Sequence, residues 1–299
     1  MKKYYSNGKL LITGEYVVLD GALSLALPTK FGQNLELNPI DVPKLIWKSC
    51  SIGGDIWFET EILISKLSIL SSHKVTATLQ KILIEAKKLN PSFLEDGKGF
   101  RIQTHLTFPN EWGLGTSSTL INNIASWANV DSFQLLLNSF GGSAYDIACA
   151  QNNTPVHYQL LDAKPVVCPI AFSPPFSERL FFVYLNKKQN SKEGIQLYNS
   201  IKKSKKNICN EISQITKEIT NCSSFDEFEN LLSIHEQMMA NLLNLRPVKE
   251  CLFSDYFGAI KSLGAWGGDF VLATGNIDTP SYFKSKGYHT VLTYREMVR

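Results

Sequence analysis

The chain has 299 residues, of which 44% are hydrophobic and 19% charged, with a formal net charge of +3. This apolar content excludes disorder as the main state. The nearly balanced charge, with 25 lysines against 5 arginines, argues against a dedicated reader of nucleic acids. The sequence contains no run of 18 apolar residues, so we expect no membrane span. The lysines at positions 2 and 3 are not followed by the apolar stretch of a secretion signal. The six cysteines form no CxxC pair, which favours a reduced compartment. We therefore expect a soluble, cytoplasmic protein with neither nucleic acid nor membrane as partner.

The first hundred residues are typical of strands separated by turns. β-branched and aromatic residues alternate with Gly and Pro, and one stretch changes to helical periodicity. The patterns predict strands over 10–13, 16–19, 31–37, 56–64 and Gly99–Leu106, and a helix over 75–89.

Helices become more frequent after residue 106. A glycine-rich loop leads into a helix, and further helices are predicted over 131–140, 144–150, 193–220, 225–245 and 247–263. Ser224 followed by Glu227 resembles a capping box. Strands are predicted over 180–185, Phe270–Thr274 and 290–293. The irregular alternation indicates an α+β fold, with one domain over 1–165 and a second over 166–299.

The strongest chemical signal is the segment 113–118, GLGTSS. Its two glycines allow close approach of a ligand, and the following helix would direct its N-terminal N–H groups at an anion. The hydroxyls of Thr116, Ser117 and Ser118 suit phosphate oxygens or Mg²⁺. An ordinary Gly/Ser helix start explains the same residues, and the segment alone leaves both interpretations open.

Three further segments are weaker when each is taken alone. In 141–150, GGSAYDIACA, Asp146 is either a general base or a helix-start residue. Lys9 and Glu15 flank an apolar strand, where the lysine either contacts an anion or is solvated. In 261–270, KSLGAWGGDF, the glycines indicate either contact with a ligand or a helix end followed by a tight turn.

Taken together, these segments resemble the GHMP kinase superfamily. The stretch NGKLLITGEYVVLDG, 7–21, is similar to its first signature. PNEWGLGTSS, 109–118, is similar to the phosphate loop, and KSLGAWGGDF to the third signature. GSAYDIACA, 142–150, resembles the segment of the catalytic Asp and looks closest to the mevalonate and phosphomevalonate kinase branch.

The resemblance implies a ribosomal protein S5-like N-terminal domain that binds ATP and a ferredoxin-like C-terminal domain. It implies that Asp146 accepts or orients the proton of the substrate hydroxyl and that Lys9 stabilises the charge on Asp146 and on the transferring phosphoryl. Ser117 would bind Mg²⁺. The residues expected to hold ATP are Gly113, Leu114, Gly115, Thr116, Ser117 and Ser118. Those expected on the substrate side are Glu15, Ser143, Gly264, Ala265 and Gly267.

The chain departs from the family pattern at several positions. Asn7 replaces a Pro, Trp266 replaces a Gly, and 131–140 contains no Glu to serve as a second Mg²⁺ ligand. The lysines of loop 186–192 either receive an anionic substrate or are ordinary surface residues.

The expected activity is ATP-dependent phosphorylation of a small metabolite, and mevalonate and phosphomevalonate are the leading candidates for the substrate. The protein is expected to be a monomer or a homodimer. The alternatives are a GHMP kinase for another small alcohol or sugar and a non-catalytic ligand-binding protein of the same fold.

Overall fold

A computed structural model describes residues 1–201 and 205–299. Within them the strands are β1 Lys2–Leu11, β2 Ser24–Ile40, β3 Lys44–Cys50, β4 Ile56–Leu63, β5 Gly99–Leu106, β6 Val156–Leu161, β7 Lys164–Pro169, β8 Leu180–Tyr184, β9 Ile260–Ser262, β10 Phe270–Thr274 and β11 Val291–Thr293. The α-helices are α1 Lys74–Leu89, α2 Thr116–Ala128, α3 Ser132–Ser139, α4 Tyr145–Gln151, α5 Ser191–Ser200, α6 Lys206–Asn221, α7 Phe225–Leu243, α8 Val248–Leu252, α9 Thr279–Ser285 and α10 Tyr294–Met297.

The chain packs into two compact units that are not continuous in sequence. The first comprises Met1–Gly8, Phe31–Asn110 and Leu114–Gln151. The second comprises Lys9–Lys30, Glu111–Gly113 and Asn152–Arg299. Strands β1 and β2 therefore each contribute residues to both units. This division follows packing and does not test the domain boundary expected at 165/166. That boundary stays a prediction.

The first unit is a sheet covered by helices. β3 pairs antiparallel with β4 and parallel with β5, and β5 pairs antiparallel with the C-terminal half of β2. Apolar residues of these strands alternate inward and meet the inner faces of α1, α2 and α3, which is the pattern of a half-buried sheet. The core includes Leu35, Trp47, Leu83, Ile102 and Ile124.

The second unit contains two sets of paired strands. β6 pairs antiparallel with the start of β2 and with β7. β8, β9, β10 and β11 form an antiparallel sheet in the order β11-β8-β10-β9. Helix α7 packs against β9. A core of Val183, Phe253, Val271 and Phe283 lies on this sheet.

The strongly patterned elements agree with the sequence predictions. β5 and β10 have the predicted bounds, and Ser224 caps α7 by accepting a hydrogen bond from the backbone N–H of Glu227 at 3.4 Å. The α+β class is confirmed. Strands β3, β6 and β7 and helix α9 were not predicted. The β6–β7 turn was not predicted because Asp162 and Ala163 occupy its two positive-φ positions, where Gly or Asn is usual.

Three predicted elements differ from the structure. The expected strand 16–19 is a 3₁₀ turn, Val17–Asp20, because a short buried apolar run has no period that separates strand from turn. The expected helix 193–220 is two helices, since α5 ends at Ser200 and Ile201 has extended backbone; Lys202 and Lys203, in its predicted polar face, lie outside the described residues. The expected helix 247–263 ends at Leu252, and its last residues form β9.

Candidate active site

The predicted phosphate loop leads directly into α2. Gly113 and Gly115 both have left-handed backbone, with φ of +68° and +92°, and Gly115 is the N-cap of α2. Residues with a side chain are strained in this region, so glycine at both positions follows from the geometry. Leu114, between them, is fully buried and anchors the loop in the first unit.

The four hydroxyls that begin α2 have different surroundings. Thr116 donates to Asn110 Oδ1 at 3.2 Å, and Ser118 and Thr119 donate to the carbonyl of Gly115 at 2.9 and 3.1 Å. Ser117 is exposed, and its hydroxyl has no hydrogen-bond partner among the described residues. Ser117 is therefore the hydroxyl of this helix start that is available to an incoming ligand.

A set of buried neutral side chains, the amide network, holds α2 within the first unit. Ser6 donates to Asn123 Oδ1 at 2.8 Å and accepts from Asn122 Nδ2 at 2.9 Å. Asn123 Nδ2 donates to the carbonyl of Gln33 at 2.9 Å, and Thr119 donates to Gln33 Oε1 at 2.8 Å. The sequence analysis did not predict this network. The signal for it was the presence of polar residues, Asn122 and Asn123, on the face of α2 that packs into the core.

Asp146 lies in the first turn of α4. It is half-buried, whereas Ser143 is buried, and Gly141, Gly142 and Ala144 ahead of it all have positive φ. The turn brings the chain sharply into α4, which packs on α2 within the first unit. The carboxylate and the phosphate-loop helix thus belong to one packed body.

Lys9 lies on β1 in the second unit, where it is half-buried. Gly264 has φ of +65°, and a Cβ at this position would lie 3.9 Å from Lys9 Nζ. Ala265 is buried and Gly267, with φ of +84°, is exposed. The third signature thus presents its backbone to the Lys9 ammonium, because its first glycine carries no side chain to intervene.

Asp269 lies against the predicted phosphate loop, and the sequence did not single it out as a candidate site residue. A Cβ on Gly113 would lie 2.4 Å from its carboxylate, and it accepts the backbone N–H of Gln189 at 3.0 Å. Burial raises the pKa of Asp269, while the Gln189 N–H and the charges of Lys9 and Lys188 oppose that rise. The carboxylate packs where only a glycine at position 113 leaves room for it.

Glu15 is fully buried, in contrast to a residue that lines an open surface. Its Oε1 accepts a hydrogen bond from Lys261 Nζ, and its Oε2 lies 3.4 Å from Nε2 of the buried His235. Burial raises the pKa of Glu15 to about 7, although Lys261 opposes the rise. Protein groups enclose the carboxylate, and its place among the substrate-side residues stays a prediction.

Both signature tryptophans pack inside the second unit. Trp266 is 4% exposed, its backbone N–H donates to Tyr16 Oη at 3.3 Å, and its carbonyl accepts from Gln189 Nε2 at 2.7 Å. Trp112 stacks edge-on against Phe270, with ring centroids 5.4 Å apart. The bulk of Trp266 thus fills protein space in this loop.

Among the described residues, no group of three or more His, Cys, Asp or Glu side chains could hold a metal ion. The expected binding of Mg²⁺ by Ser117 and phosphate oxygens would not need such a group, because Mg²⁺ takes few protein ligands. In the same residues, no helix has the length and apolar character needed to cross a membrane.

Comparison with known proteins shows likeness in structure but not in sequence. No protein-family model matches the chain, and a search of characterised protein sequences finds no match. The mevalonate kinase of Methanococcus jannaschii superposes with a TM-score of 0.72 at 15% identity, covering 95% of this chain and 94% of that one. The phosphomevalonate kinase of Streptococcus pneumoniae, in complex with phosphomevalonate and AMPPNP, gives 0.72 at 17% identity and 96% coverage of both chains.

A sugar kinase has the same fold. The galactokinase of Lactococcus lactis, in complex with galactose, gives a TM-score of 0.66 at 12% identity, covering 95% of this chain and 88% of that one. The chain is therefore an α+β protein with the fold of the GHMP kinases, as its signatures led us to expect. At these identities the likeness defines the fold and leaves the substrate open.

Proposed function

We propose that this protein is an ATP- and Mg²⁺-dependent kinase that phosphorylates a hydroxyl or phosphate of a small metabolite, with mevalonate and phosphomevalonate as the first candidates. The observation that carries the proposal is the coincidence of three GHMP signatures, in order, with a GHMP kinase fold over nearly the whole chain. A shared fold alone would not suffice, because one fold hosts many functions.

The chain's own groups divide the work of phosphoryl transfer. The glycine-rich start of α2 would bind the phosphates through backbone N–H groups and the helix dipole, and Ser117 would hold the cation. Bound Mg²⁺ would supply positive charge to the phosphate oxygens. Asp146 accepts the proton of the attacking hydroxyl, and Lys9 offsets the negative charge that the transfer concentrates. Gly264, Ala265, Gly267 and Ser143 contact the substrate.

The test is ADP release with Mg²⁺-ATP over a panel of mevalonate, 5-phosphomevalonate, homoserine, galactose and other sugars. We expect turnover on one compound, lost in Asp146→Asn. The matched control is Asp131→Asn, since Asp131 also begins a helix of the first unit, where it caps α3 by accepting the N–H of Gln134 at 2.7 Å. Asn also caps helices, so this variant should keep full activity.

A non-catalytic ligand-binding protein is the second candidate. The lack of a Glu in 131–140 and the Trp at 266 favour it, because both depart from the kinase pattern. ATP binding without turnover on any compound of the panel would support this candidate over the kinase.

A further inference from the structure

Two consecutive residues of α7, His235 and Glu236, are buried although both are polar. Their exposed fractions are 0% and 3%, and their neighbours on the buried face, such as Leu232 and Met239, are apolar. Burying an imidazole and a carboxyl is costly unless each finds partners.

His235 holds the turn that follows β1. The backbone N–H of Gly14 donates to His235 Nε2 at 3.0 Å. Gly14 has φ of +88°, and a Cβ there would lie 2.0 Å from Ser24 Oγ. The turn therefore requires a glycine at position 14, and His235 accepts the hydrogen bond that the buried Gly14 N–H must donate. Burial and the charge of Lys261 hold the pKa of His235 well below its usual value, which keeps Nε2 an acceptor.

Glu236 holds the third signature at the end of β9. One carboxylate oxygen accepts the backbone N–H of Ser262 at 3.0 Å, and the other accepts the Ser262 hydroxyl at 2.7 Å. Both oxygens of the carboxylate thus hold one residue, two positions before Gly264. Hydrogen bonds to a carboxylate are among the stronger ones that a backbone N–H can make.

A buried ion pair links the two segments that α7 holds. Glu15 follows Gly14, Lys261 precedes Ser262, and the two side chains are joined by a hydrogen bond with neither exposed to solvent. Glu15, His235, Glu236 and Lys261, here termed the charged cluster, therefore close a ring of contacts through the turn after β1, α7 and β9. A closed ring restricts sliding of one segment past another more than any single contact would.

Lys9 is close to both of the segments that the ring joins. It precedes the Gly14 turn on β1, and the Gly264 turn faces its ammonium, 3.9 Å from where a Cβ would be. A shift of the third signature would change the surroundings of the Lys9 ammonium directly. Phosphoryl transfer is sensitive to such placement, since a displacement of about 1 Å can cost about 100-fold in rate.

We propose that His235 and Glu236 are positioning residues that keep the first and third signatures in register around Lys9. The consequence for catalysis rests on the proposed kinase function, whereas the consequence for the structure around Lys9 does not. The charge and hydrogen-bond pattern of the cluster thus serves alignment of the site in addition to packing.

The experiment compares four variants with the wild-type protein. Glu236→Gln replaces one of the two oxygens that accept hydrogen bonds from Ser262 with an NH2 donor, and His235→Leu removes the acceptor of the Gly14 N–H. His235→Gln restores an oxygen that can accept the Gly14 N–H. The matched control is Glu229→Gln, because Glu229 lies on the same helix and accepts hydrogen bonds from the Ala259 N–H, at 3.4 Å, and from Thr274 in the same sheet. Neither Ala259 nor Thr274 is a residue of either signature.

Three readouts are measured on each variant. Hydrogen–deuterium exchange reports the backbone at 10–16 and 260–268, acetylation by acetic anhydride reports the exposure of the Lys9 amine, and ADP release gives kcat and KM. In Glu236→Gln and His235→Leu we expect faster exchange in these two segments and at least about threefold faster acetylation of Lys9. The reason is that local opening exposes the backbone amides of the segments and the Lys9 amine to solvent. We expect kcat to fall about tenfold or more at unchanged KM for ATP. His235→Gln should recover most of each value, and Glu229→Gln should match the wild type.

Unchanged Lys9 acetylation in Glu236→Gln and His235→Leu would overturn the proposal. Equal effects in Glu229→Gln would also overturn it, because they would show a general loss of packing. If the wild-type protein turns over no compound, the kinase function fails by itself, while the exchange and acetylation results still decide whether the two residues position Lys9.

Discussion

In the first unit, α2 is held by side chains that do not titrate, whereas in the second unit the turn after β1 and strand β9 are held by titratable side chains. The amide network satisfies each buried donor with a neutral acceptor. The charged cluster places a lysine, two carboxyl groups and an imidazole out of contact with water. Neutral hydrogen bonds contribute modestly and do not titrate, while buried charges are costly when a partner is lost and respond to pH.

Removal of the cation from the charged cluster has the largest expected effect on stability. In Lys261→Met, Glu15 and Glu236 remain buried without their counter-charge, so we expect a loss of about 3–5 kcal/mol in the free energy of unfolding at pH 7. Urea denaturation measures it. The double variant Glu15→Gln/Lys261→Met should recover part of the loss, and a single-variant loss below about 1 kcal/mol would mean that the pair acts like an exposed one.

The charged cluster should also produce opposite pH slopes in two variants. The folded-state pKa of Glu15 is raised from 4.5 to about 7, so its contribution to stability is present at low pH and is lost as pH rises through that window. The pKa of His235 is lowered from 6.5, so its contribution is present above that value and is lost as pH falls. Burial also raises the pKa of Glu236, which faces the same Lys261, but Glu236 is common to the proteins compared.

We therefore expect Glu15→Gln to make the slope of unfolding free energy against pH more positive than in the wild type between about pH 5 and 6.5. His235→Gln should make it more negative, each by up to about 1.4 kcal/mol per pH unit. Denaturation at several pH values measures both slopes. Parallel slopes in all three proteins would show that these groups do not exchange protons on unfolding.

The amide network should give a smaller loss that does not depend on pH. Asn123→Ala removes the donor to the Gln33 carbonyl and the acceptor of the Ser6 hydroxyl, so we expect a loss of about 2 kcal/mol that is equal at pH 5 and pH 8. Ser126→Ala is the control on α2, because among the described residues the Ser126 hydroxyl bonds only to the Asn122 carbonyl of the same helix. This change should cost less than about 0.5 kcal/mol. A pH-dependent loss in Asn123→Ala would contradict the contrast between the two regions.

An exposed ion pair should have the smallest effect. Lys44 Nζ and Glu61 Oε2 lie 2.7 Å apart on the first unit's sheet, with side chains 27% and 59% exposed. Glu61→Gln should change the free energy of unfolding by less than about 0.5 kcal/mol, because water screens the pair. Thermal unfolding at two salt concentrations measures this, and a loss approaching that of Lys261→Met would show that burial is not the source of the difference.

Periodicity, caps and turn residues predicted the elements whose sequence pattern is strong. They failed where the pattern is short or fits more than one kind of element. β5 and β10 follow from alternation and from an apolar run between turn residues, and α7 from its cap at Ser224. The β6–β7 hairpin and the 3₁₀ turn after Gly14 were missed, because their residues do not carry the usual turn or period signals. The division of the predicted helix 193–220 was missed because Ile201 continues the apolar spacing.

The sequence by itself determined the α+β class and the signature segments, since glycine spacing, helix caps and strand alternation act over a few neighbouring residues. Only the tertiary structure decided which polar groups are buried and what they contact. Lys261 was one lysine among 25 until the fold placed it against Glu15, 246 residues away. A charge becomes costly, and so informative, only when packing removes its water, and no local pattern records that removal.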